Sequence, residues 1–595
     1  MSGPNQRFTL FERRGGRPSR PRPPLALGEG CGGAGAAGRA AADLVLKNAQ
    51  VLNVFTRRFI PADVALAHGR IAGVGHYSGP AERDCTGLYV CPGFVDAHLH
   101  IESSMATPFE LAKAVLPWGT TTLVADPHEI VNVCGAAGVS WLLRATGDLP
   151  LNVYVMLPSS VPATPFETSG AAFTAADMAP FLGHPRVLGL GEVMCYPAVV
   201  AGESAILEKL AAARAAGKMA DGHAPQLSGA ALQAYAAAGI STEHECTGFA
   251  EAREKLEAGL ALLIREGSAA HNLPALVTGL LQSGLPTGRC AFCTDDKHLD
   301  DIAREGSIRW NVRLAIGLGM PPEEALCMAS WNAACLYGLG AELGAVAPGR
   351  LADLVLLDDL ADVHIREVYK AGVPAGECFA GRTAAPVPKE LLHTVRFAPL
   401  SPARLALPAP GPLHCIGLVP GQIETKHTCE PVPSRGGWFV PDAVYSKLCV
   451  IERHGRNGNV AVCPLKGYGI RGGAVATTVA HDSHNIIAAG DNDRDILLAV
   501  EHLRQTGGGY ALAGGGRLLG AVPLPVAGLL SPAPWREVQQ QTAAILAKAR
   551  SMGIPPQVDP FITLSFIALP VIPSLRLTDR GLFDVERFQL LQPPQ

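Results

Sequence analysis

Two histidines stand two residues apart where an apolar segment of the sequence ends, as His98 and His100 in "DAHLH". Side chains two residues apart on an extended strand point to the same side, so both imidazoles can reach one space. Such a pair suits a borderline divalent metal ion. Because a single His-x-His pair is weak evidence, the ends of the other apolar segments decide whether the metal hypothesis holds.

Four further apolar segments end in residues that can bind a metal ion or carry a proton. They are Glu192 in "GLGEVM", His223 in "ADGHAP", His244 in "STEHE" and Asp295 in "FCTDD". Any one of them alone fits a hydrogen-bonded residue of the core or its rim. Burying all six without partners would cost several kcal/mol for each group, so we interpret the set as a metal site.

Six ligands exceed the needs of one catalytic ion, because a hydrolytic site keeps a coordination position open for water. They fit two ions about 3.5–4 Å apart, bridged by a carboxylate and by a hydroxide. The two ions lower the pKa of the bridging water, so that this hydroxide forms near neutral pH. Asp295 would then carry the proton of the attacking water to the leaving group. The hypothesis assigns His98, His100 and Asp295 to one ion, His223 and His244 to the other, and Glu192 to the bridge.

A regular alternation of strands and helices must position these residues. Between Tyr89 and Asp296, apolar runs alternate with Ala-rich or amphipathic helical segments, which is typical of parallel strands buried on both faces. Eight such units fit a closed (β/α)8 TIM-type barrel, whose chemistry lies at the C-terminal strand ends. A doubly wound sheet is the alternative, but no G-x-G-x-x-G opens a helix after the first strand. The predicted strands are 93–100, 120–129, 152–160, 187–194, 218–224, 239–245, 261–268 and 290–296.

The segments outside the barrel differ in composition. A start rich in Gly, Pro and Arg predicts a disordered tail. Short alternating strands on both sides of the barrel predict one small β-domain, similar to a sandwich, assembled from both flanks. A Pro-rich stretch over about 397–412 reads as a linker before an extra C-terminal α/β domain. The predicted boundaries are 1–40 for the tail, 41–88 and 341–396 for the β-domain, 89–340 for the barrel, and 413–595 for the C-terminal domain.

Composition narrows the partners and the compartment. The formal net charge of −4 and a pI near 6.5 predict no general attraction to nucleic acid or to anionic membranes. Apolar runs are interrupted before the about 18–20 residues that cross a bilayer, and the first 24 residues lack the apolar core of a secretory signal. The 15 cysteines form no repeating framework, which predicts reduced thiols and a cytoplasmic protein. Cys290 and Cys293 read as two strand thiols rather than a zinc knuckle.

At these residues the sequence resembles the amidohydrolase superfamily, whose ligand order along the barrel is His-x-His, a strand-4 bridge, two His and an Asp. Longer strings are similar to those of the bacterial-type adenine deaminases within that superfamily. In the barrel these are "PGFVDAHLHIESSM" (92–105), "GTTTLVADPHEIVNV" (119–133), "GLGEVM" (189–194), "IREGSAA" (264–270) and "CTDD" (293–296). Near the C-terminus they are "AHDSHNII" (480–487) and "PLPVAGLLS" (523–531).

Two departures narrow the choice within the superfamily. Dihydroorotases and hydantoinases carry a carbamylated Lys on strand 4, where Glu192 stands here. Mononuclear deaminases carry a Glu three residues after the strand-5 His, where Gln226 stands here. The resemblance therefore implies hydrolysis of adenine to hypoxanthine and ammonia in purine salvage, with two ions of manganese or iron. A ring-amide hydrolase is the alternative enzyme, whereas a non-catalytic, decayed barrel is disfavoured because none of the six ligands is missing.

Polar residues just beyond the strand ends are candidates for contacting the purine, although loop and capping roles fit each of them equally well. The candidates are Glu102, Ser103, Asp126, His128, Arg265, Glu266, Ser268 and Asp296, together with Ser104 and Glu129. His481, Ser483 and His484 form a further cluster that fits either a lid or a structural turn. Barrel enzymes of this class often form homo-oligomers, so we expect one here, with adenine as the only other partner.

Overall fold

The computed structural model describes residues 42–592, so the tail predicted for residues 1–40 lies outside the described residues. Within that range no helix is long and apolar enough to cross a membrane. The strands before residue 400 are β1 (Leu44–Asn53), β2 (Arg58–Ala67), β3 (Arg70–Gly75), β4 (Glu82–Asp84), β5 (Tyr89–Pro92), β6 (Phe94–Leu99), β7 (Thr120–Ala125), β8 (Asn152–Leu157), β9 (Val187–Val193), β10 (Met219–Gly222), β11 (Thr242–Glu243), β12 (Ala261–Arg265), β13 (Cys290–Cys293), β14 (Leu354–Asp359), β15 (His364–Lys370) and β16 (Val373–Pro374).

An outer sheet takes strands from both sides of the barrel sequence, in the order β16-β15-β14-β5-β1-β2-β3 with β4 beside β1. Its centre is β5, which pairs in parallel with β1 through Val51 and Val90 and antiparallel with β14 through Cys91 and Val355. Residues 89–92 therefore lie in this sheet, although the sequence pattern assigned them to the barrel, because both of their hydrogen-bonding edges face outer strands.

Eight parallel strands, β6 to β13, form the curled sheet that carries the site, as in a TIM-type barrel. β6 to β10 pair in sequence, and so do β11 to β13. One seam is closed by the Asp295 N–H, which donates to the His98 carbonyl (3.0 Å), and by the His100 N–H, which donates to the Asp295 carbonyl (3.2 Å). At the other seam the Ser241 N–H donates to the Ala220 carbonyl (3.0 Å).

The barrel strands are buried on both faces, and all eight are shorter than the sequence predicts, β7 and β11 being two clear cases. Every residue of β6, β7 and β13 is buried, since helices cover the outside and side chains fill the inside. β7 ends at Ala125 because Pro127 cannot donate to a ladder and a helix begins at His128. β11 comprises only Thr242 and Glu243, so the residues that follow it leave the strand geometry.

Helices alternate with the barrel strands. After the last barrel strand a helical stretch runs from Pro322 to Leu336 with a π-helical turn at Met328–Asn332. The α-helices of this part of the chain are Pro108–Val115, His128–Cys134, Ala136–Ala145, Ala175–Leu182, Tyr196–Ala201, Ser204–Ala215, Gly229–Ala237, Phe249–Glu257, Leu273–Ser283, Leu299–Glu305, Ile308–Gly317, Pro322–Cys327 and Ala333–Leu336.

The C-terminal part is built on a mainly antiparallel sheet of eight strands, which lie in the order Thr425–Glu430, Leu413–Leu418, Val460–Lys466, Tyr445–Ile451, Ile486–Gly490, Gly473–Thr477, Gly509–Gly514 and Arg517–Pro523. The stretch that reads as a linker is packed against this sheet, because Leu405 within it is fully buried in the same apolar cluster as Leu503. The α-helices here are Asp493–Thr506, Trp535–Arg550 and Ile562–Ile567. The strands are β17 (Leu413–Leu418), β18 (Thr425–Glu430), β19 (Ser434–Arg435), β20 (Trp438–Phe439), β21 (Tyr445–Ile451), β22 (Val460–Lys466), β23 (Gly473–Thr477), β24 (Ile486–Gly490), β25 (Gly509–Gly514), β26 (Arg517–Pro523), β27 (Leu575–Thr578), β28 (Gly581–Asp584) and β29 (Gln589–Leu590).

Candidate metal centre

The six predicted ligands come together at the C-terminal ends of the barrel strands. The pairing of the β6 and β13 ends places the Asp295 carboxylate beside both histidines of "DAHLH". Its Oδ1 lies 3.5 Å from His98 Nε2 and 3.2 Å from His100 Nε2. The His98 ring stacks on that of His244, with centroids 4.2 Å apart. Side chains from strands far apart in the sequence therefore share one buried space.

Glu192 lies between two sets of these ligands. Its Oε1 is 3.3 Å from His100 Nε2, whereas its Oε2 is 2.8 Å from His223 Nδ1 and 3.2 Å from His244 Nε2. The Glu192 N–H donates to the Asp126 carboxylate (2.9 Å), which fixes the end of β9. A carboxylate with one oxygen towards each set of ligands has the arrangement that a bridge between two ions requires.

The donor atoms fit divalent metal ions. Both ring nitrogens of His98 and of His244 are buried and lack a hydrogen-bond partner in the described part of the chain. Leaving such groups unpaired is costly, and metal coordination would satisfy them. With metal–ligand bonds of about 2.0–2.2 Å, neighbouring ligand atoms stand roughly 3.0–3.5 Å apart. The separations around Glu192 and Asp295 lie in or near that range, so ions can replace the contacts between these side chains.

Both carboxylates at the centre are held in the ionised form. Burial alone would raise the pKa of Glu192, but the surrounding histidines hold it well below its usual range. For Asp295 burial alone would likewise raise the pKa, but the neighbouring His100 and His98 imidazoles and the Arg265 charge keep it well below normal. Two ionised carboxylates among imidazoles form a donor set for hard or borderline cations such as manganese and iron.

Two further charged residues lie at the centre: Arg265, which the sequence predicts as a substrate contact, and Glu245, which it does not predict. Arg265 donates to Asp295 Oδ2 (2.8 Å) and to Glu245 Oε1. Glu245 Oε1 also lies 3.6 Å from both His223 Nδ1 and His244 Nε2. Adjacent residues of a strand point to opposite faces. Alternation therefore predicts that Glu245 in "EHE" points away from the site when His244 points towards it. Because β11 ends at Glu243, both residues reach the site.

His128 lies closer to the centre than a substrate contact alone requires. Its Nδ1 is 3.0 Å from Glu192 Oε1, and its ring centroid is 4.5 Å from that of His100. His100, His128 and Glu192 together form one of the three-residue groups able to hold an ion. The signal for this position was the string "DPHE", which places the histidine at the first turn of the helix after β7.

A cavity of about 390 Å³ lies over the centre and is lined by four of the candidate substrate contacts, His128, Glu129, Arg265 and Asp296. The other candidates support its walls. Asp126 accepts the His128 and Glu192 N–H groups, and Glu266 accepts the Leu273 N–H at a helix start. Ser268 donates to Asp301, and Ser103 donates to Asp296. Glu102 accepts the Ile130 N–H, and burial raises the pKa of its carboxyl group to about 7.

The C-terminal part forms one wall of this cavity. Its contribution includes two acidic side chains, an imidazole and several apolar groups. The His481 ring stacks on Phe566 (centroids 4.8 Å apart) and its Nδ1 lies 2.6 Å from Glu129 Oε1. The wall consists of Gly421, Gln422, Ile423, Glu424, His481, Asp482, Phe566, Leu569, Val571, Ile572 and Pro573.

Comparisons with known proteins agree with this arrangement. Residues 89–383 match the model of the amidohydrolase family, and residues 422–589 match that of the adenine deaminase C-terminal domain. The chain is 49% identical over 548 residues to an adenine deaminase of Desulfitobacterium hafniense, and the aligned region covers 92% of this chain and 96% of that protein. It is 48% identical over 560 residues to an adenine deaminase of Nitratidesulfovibrio vulgaris (93% and 96%) and 46% identical over 563 residues to adenine deaminase 2 of Carboxydothermus hydrogenoformans (93% and 98%).

Proposed function

The chain belongs to the adenine deaminase family of the amidohydrolases, and from that premise we propose that it hydrolyses adenine to hypoxanthine and ammonia at a centre of two divalent ions. The family resemblance found in the sequence is thereby confirmed. The observation that carries the two-ion proposal is the position of Glu192, whose two oxygens face separate sets of ligands.

The proposed ligands divide as the donor geometry suggests. His98, His100 and Asp295 would hold one ion, His223 and His244 the other, with Glu192 shared. The histidine and carboxylate donors suit manganese or iron. When bound, the ions would lower the pKa of a water molecule so that it can act as a nucleophile near neutral pH.

The proton steps are assigned to side chains of the chain itself. Asp295 presents Oδ1 to the centre while Arg265 holds Oδ2, so one oxygen has a fixed direction and can pass a proton. We assign to it the transfer from the attacking water to the departing amino group of adenine. The cavity volume of about 390 Å³ falls within the usual range for small-molecule sites, and Phe566 and Leu569 give it an apolar face for a flat base.

A product assay tests the reaction directly. The purified metal-loaded protein, incubated with adenine, should release hypoxanthine and ammonia in equal amounts. Dihydroorotate and hydantoin serve as matched substrates for the alternative ring-amide hydrolysis. Ring opening of either compound without deamination of adenine would overturn the proposed function.

Two isosteric variants separate the roles of the two acids. Glu192→Gln removes the negative charge between two cations, so we expect loss of at least one ion together with activity. Asp295→Asn keeps an oxygen ligand but cannot accept the proton, so metal should remain while turnover falls about 10²–10⁴-fold. Full metal content in an active Glu192→Gln protein would contradict the bridge, and activity of Asp295→Asn within tenfold of the parent would move the proton transfer elsewhere.

A further inference from the structure

The connection between β23 and β24, residues 478–485, reaches a buried carboxylate of the barrel, that of Glu129. His481 Nδ1 lies 2.6 Å from Glu129 Oε1, and His484 Nε2 contacts Oε2. His484 Nδ1 accepts the Ala480 N–H (3.2 Å), so its proton is on Nε2 and is available to Glu129. Glu129 is only 2% exposed. Each of its oxygens therefore faces a histidine from the C-terminal part, and Oε1 shares a hydrogen bond with His481.

Glu129 in turn faces the outer side of His128. His128 Nε2 lies 3.4 Å from Glu129 Oε1 and 3.7 Å from Asp482 Oδ1. Asp482 comes from the same connection as the two histidines and is itself buried. Two ionisable carboxyl groups beside Nε2 favour a proton on that nitrogen, which leaves the lone pair on Nδ1.

The inner nitrogen of His128 points at the metal centre. Nδ1 is buried and has no hydrogen-bond partner among the described residues, although it lies 3.0 Å from Glu192 Oε1. The contact with Glu192 is close but lacks the direction of a hydrogen bond. A histidine that binds a metal through one nitrogen commonly donates the other N–H to a carboxylate, which fixes the tautomer and the ring. In His128, Nε2 faces two carboxylates and Nδ1 faces the centre, which is the orientation that this pairing needs.

We propose that the segment His481–His484 is a positioning element of the metal centre: through Glu129 and Asp482 it fixes the His128 ring with Nδ1 towards the ions, and His128 is a further ligand. The centre built on the barrel is thus complete only with the C-terminal part in place. This inference rests on the metal centre of the proposed function.

The connection is anchored independently of Glu129, which allows a clean substitution. The His481 N–H donates to the Ser565 carbonyl (3.1 Å), and the Asn485 side chain donates to the Thr168 carbonyl (2.9 Å). His454 Nε2 lies 2.7 Å from the Ser483 carbonyl. Removing the His484 imidazole therefore leaves these backbone anchors intact. His484 also does not line the large cavity, so its loss should not remove a substrate contact.

The test measures metal affinity rather than turnover. Metal-free parent protein, His484→Leu and His484→Gln are titrated with Mn²⁺, and free and bound Mn²⁺ are followed by electron paramagnetic resonance. Residues that orient metal ligands typically contribute 10–100-fold to affinity, so the weaker Mn²⁺ Kd of His484→Leu should rise by about that factor, with an altered spectrum of the bound ion. His484→Gln keeps an N–H donor and should recover most of the affinity.

The control is His454→Gln, at a half-buried histidine between β21 and β22 that contacts the Ser483 carbonyl but not Glu129. It should bind Mn²⁺ as the parent does. Parent-like affinity and spectrum in His484→Leu, or equal weakening in His454→Gln, would overturn the positioning role. Failure of the parent to bind two Mn²⁺ ions would instead overturn the proposed metal centre, and the positioning role with it.

Discussion

Gly191 is the residue next to the proposed bridge, and adding one methyl group to it should disable the centre. A Cβ at this position would lie 2.0 Å from Asp126 Oδ2, about 1.4 Å short of the 3.4 Å at which ordinary contact begins. Asp126 is fully buried, and the same oxygen accepts the Glu192 N–H at 2.9 Å. In Gly191→Ala either Asp126 or the end of β9 must therefore move by more than 1 Å.

A misplacement of about 1 Å in a catalytic geometry can reduce the rate about 10²-fold, so we expect at least that loss of adenine turnover. Metal content, measured by elemental analysis, should fall with it because Glu192 moves. The control is Gly183→Ala, at an exposed helical position (φ −77°) where an added Cβ meets nothing within 4 Å. Turnover of Gly191→Ala within tenfold of the parent, with normal metal content, would show that the added Cβ does not displace Glu192.

Two further predictions concern the charges and ions of the centre. Arg265→Met leaves Asp295 and Glu245 without their buried cation, so the metal-free protein should lose about 3–5 kcal/mol of unfolding free energy, measured in urea. An unchanged midpoint of urea unfolding would contradict this prediction. Chelation of the parent should lower its Tm and excess Mn²⁺ should restore it, since an ion at 100 times its Kd adds about 2.7 kcal/mol. A Tm that changes with neither chelation nor added Mn²⁺ would argue against buried metal ligands.

The barrel and its six ligand-type residues could be predicted because the signals are local. A run such as "TTTLVA" reads as a strand buried on both faces, and the structure has it so in β7. The end of a barrel strand then fixes where the next residue points. His98, Glu192 and Asp295 could be brought to one place by this rule alone, without any knowledge of distant contacts.

The contacts made by the C-terminal part could not be predicted in this way. His481 and Glu129 are 352 residues apart, and no local pattern encodes such a pairing. Glu245 was missed because alternation holds only while the strand lasts, and β11 ends at Glu243. The packing of Leu405 was hidden by the Pro-rich composition around it, since one buried side chain is enough to anchor a segment that reads as a linker.

A titration of the metal-free protein with Mn²⁺ tests whether the deamination of adenine requires two bound ions per chain. The rate of hypoxanthine formation from adenine is measured after each addition, with ammonia determined in the same samples. We expect negligible turnover without metal, a rise to a plateau at two ions per chain, and equal yields of the two products. A plateau at one ion per chain, or full occupancy without hypoxanthine, would contradict it.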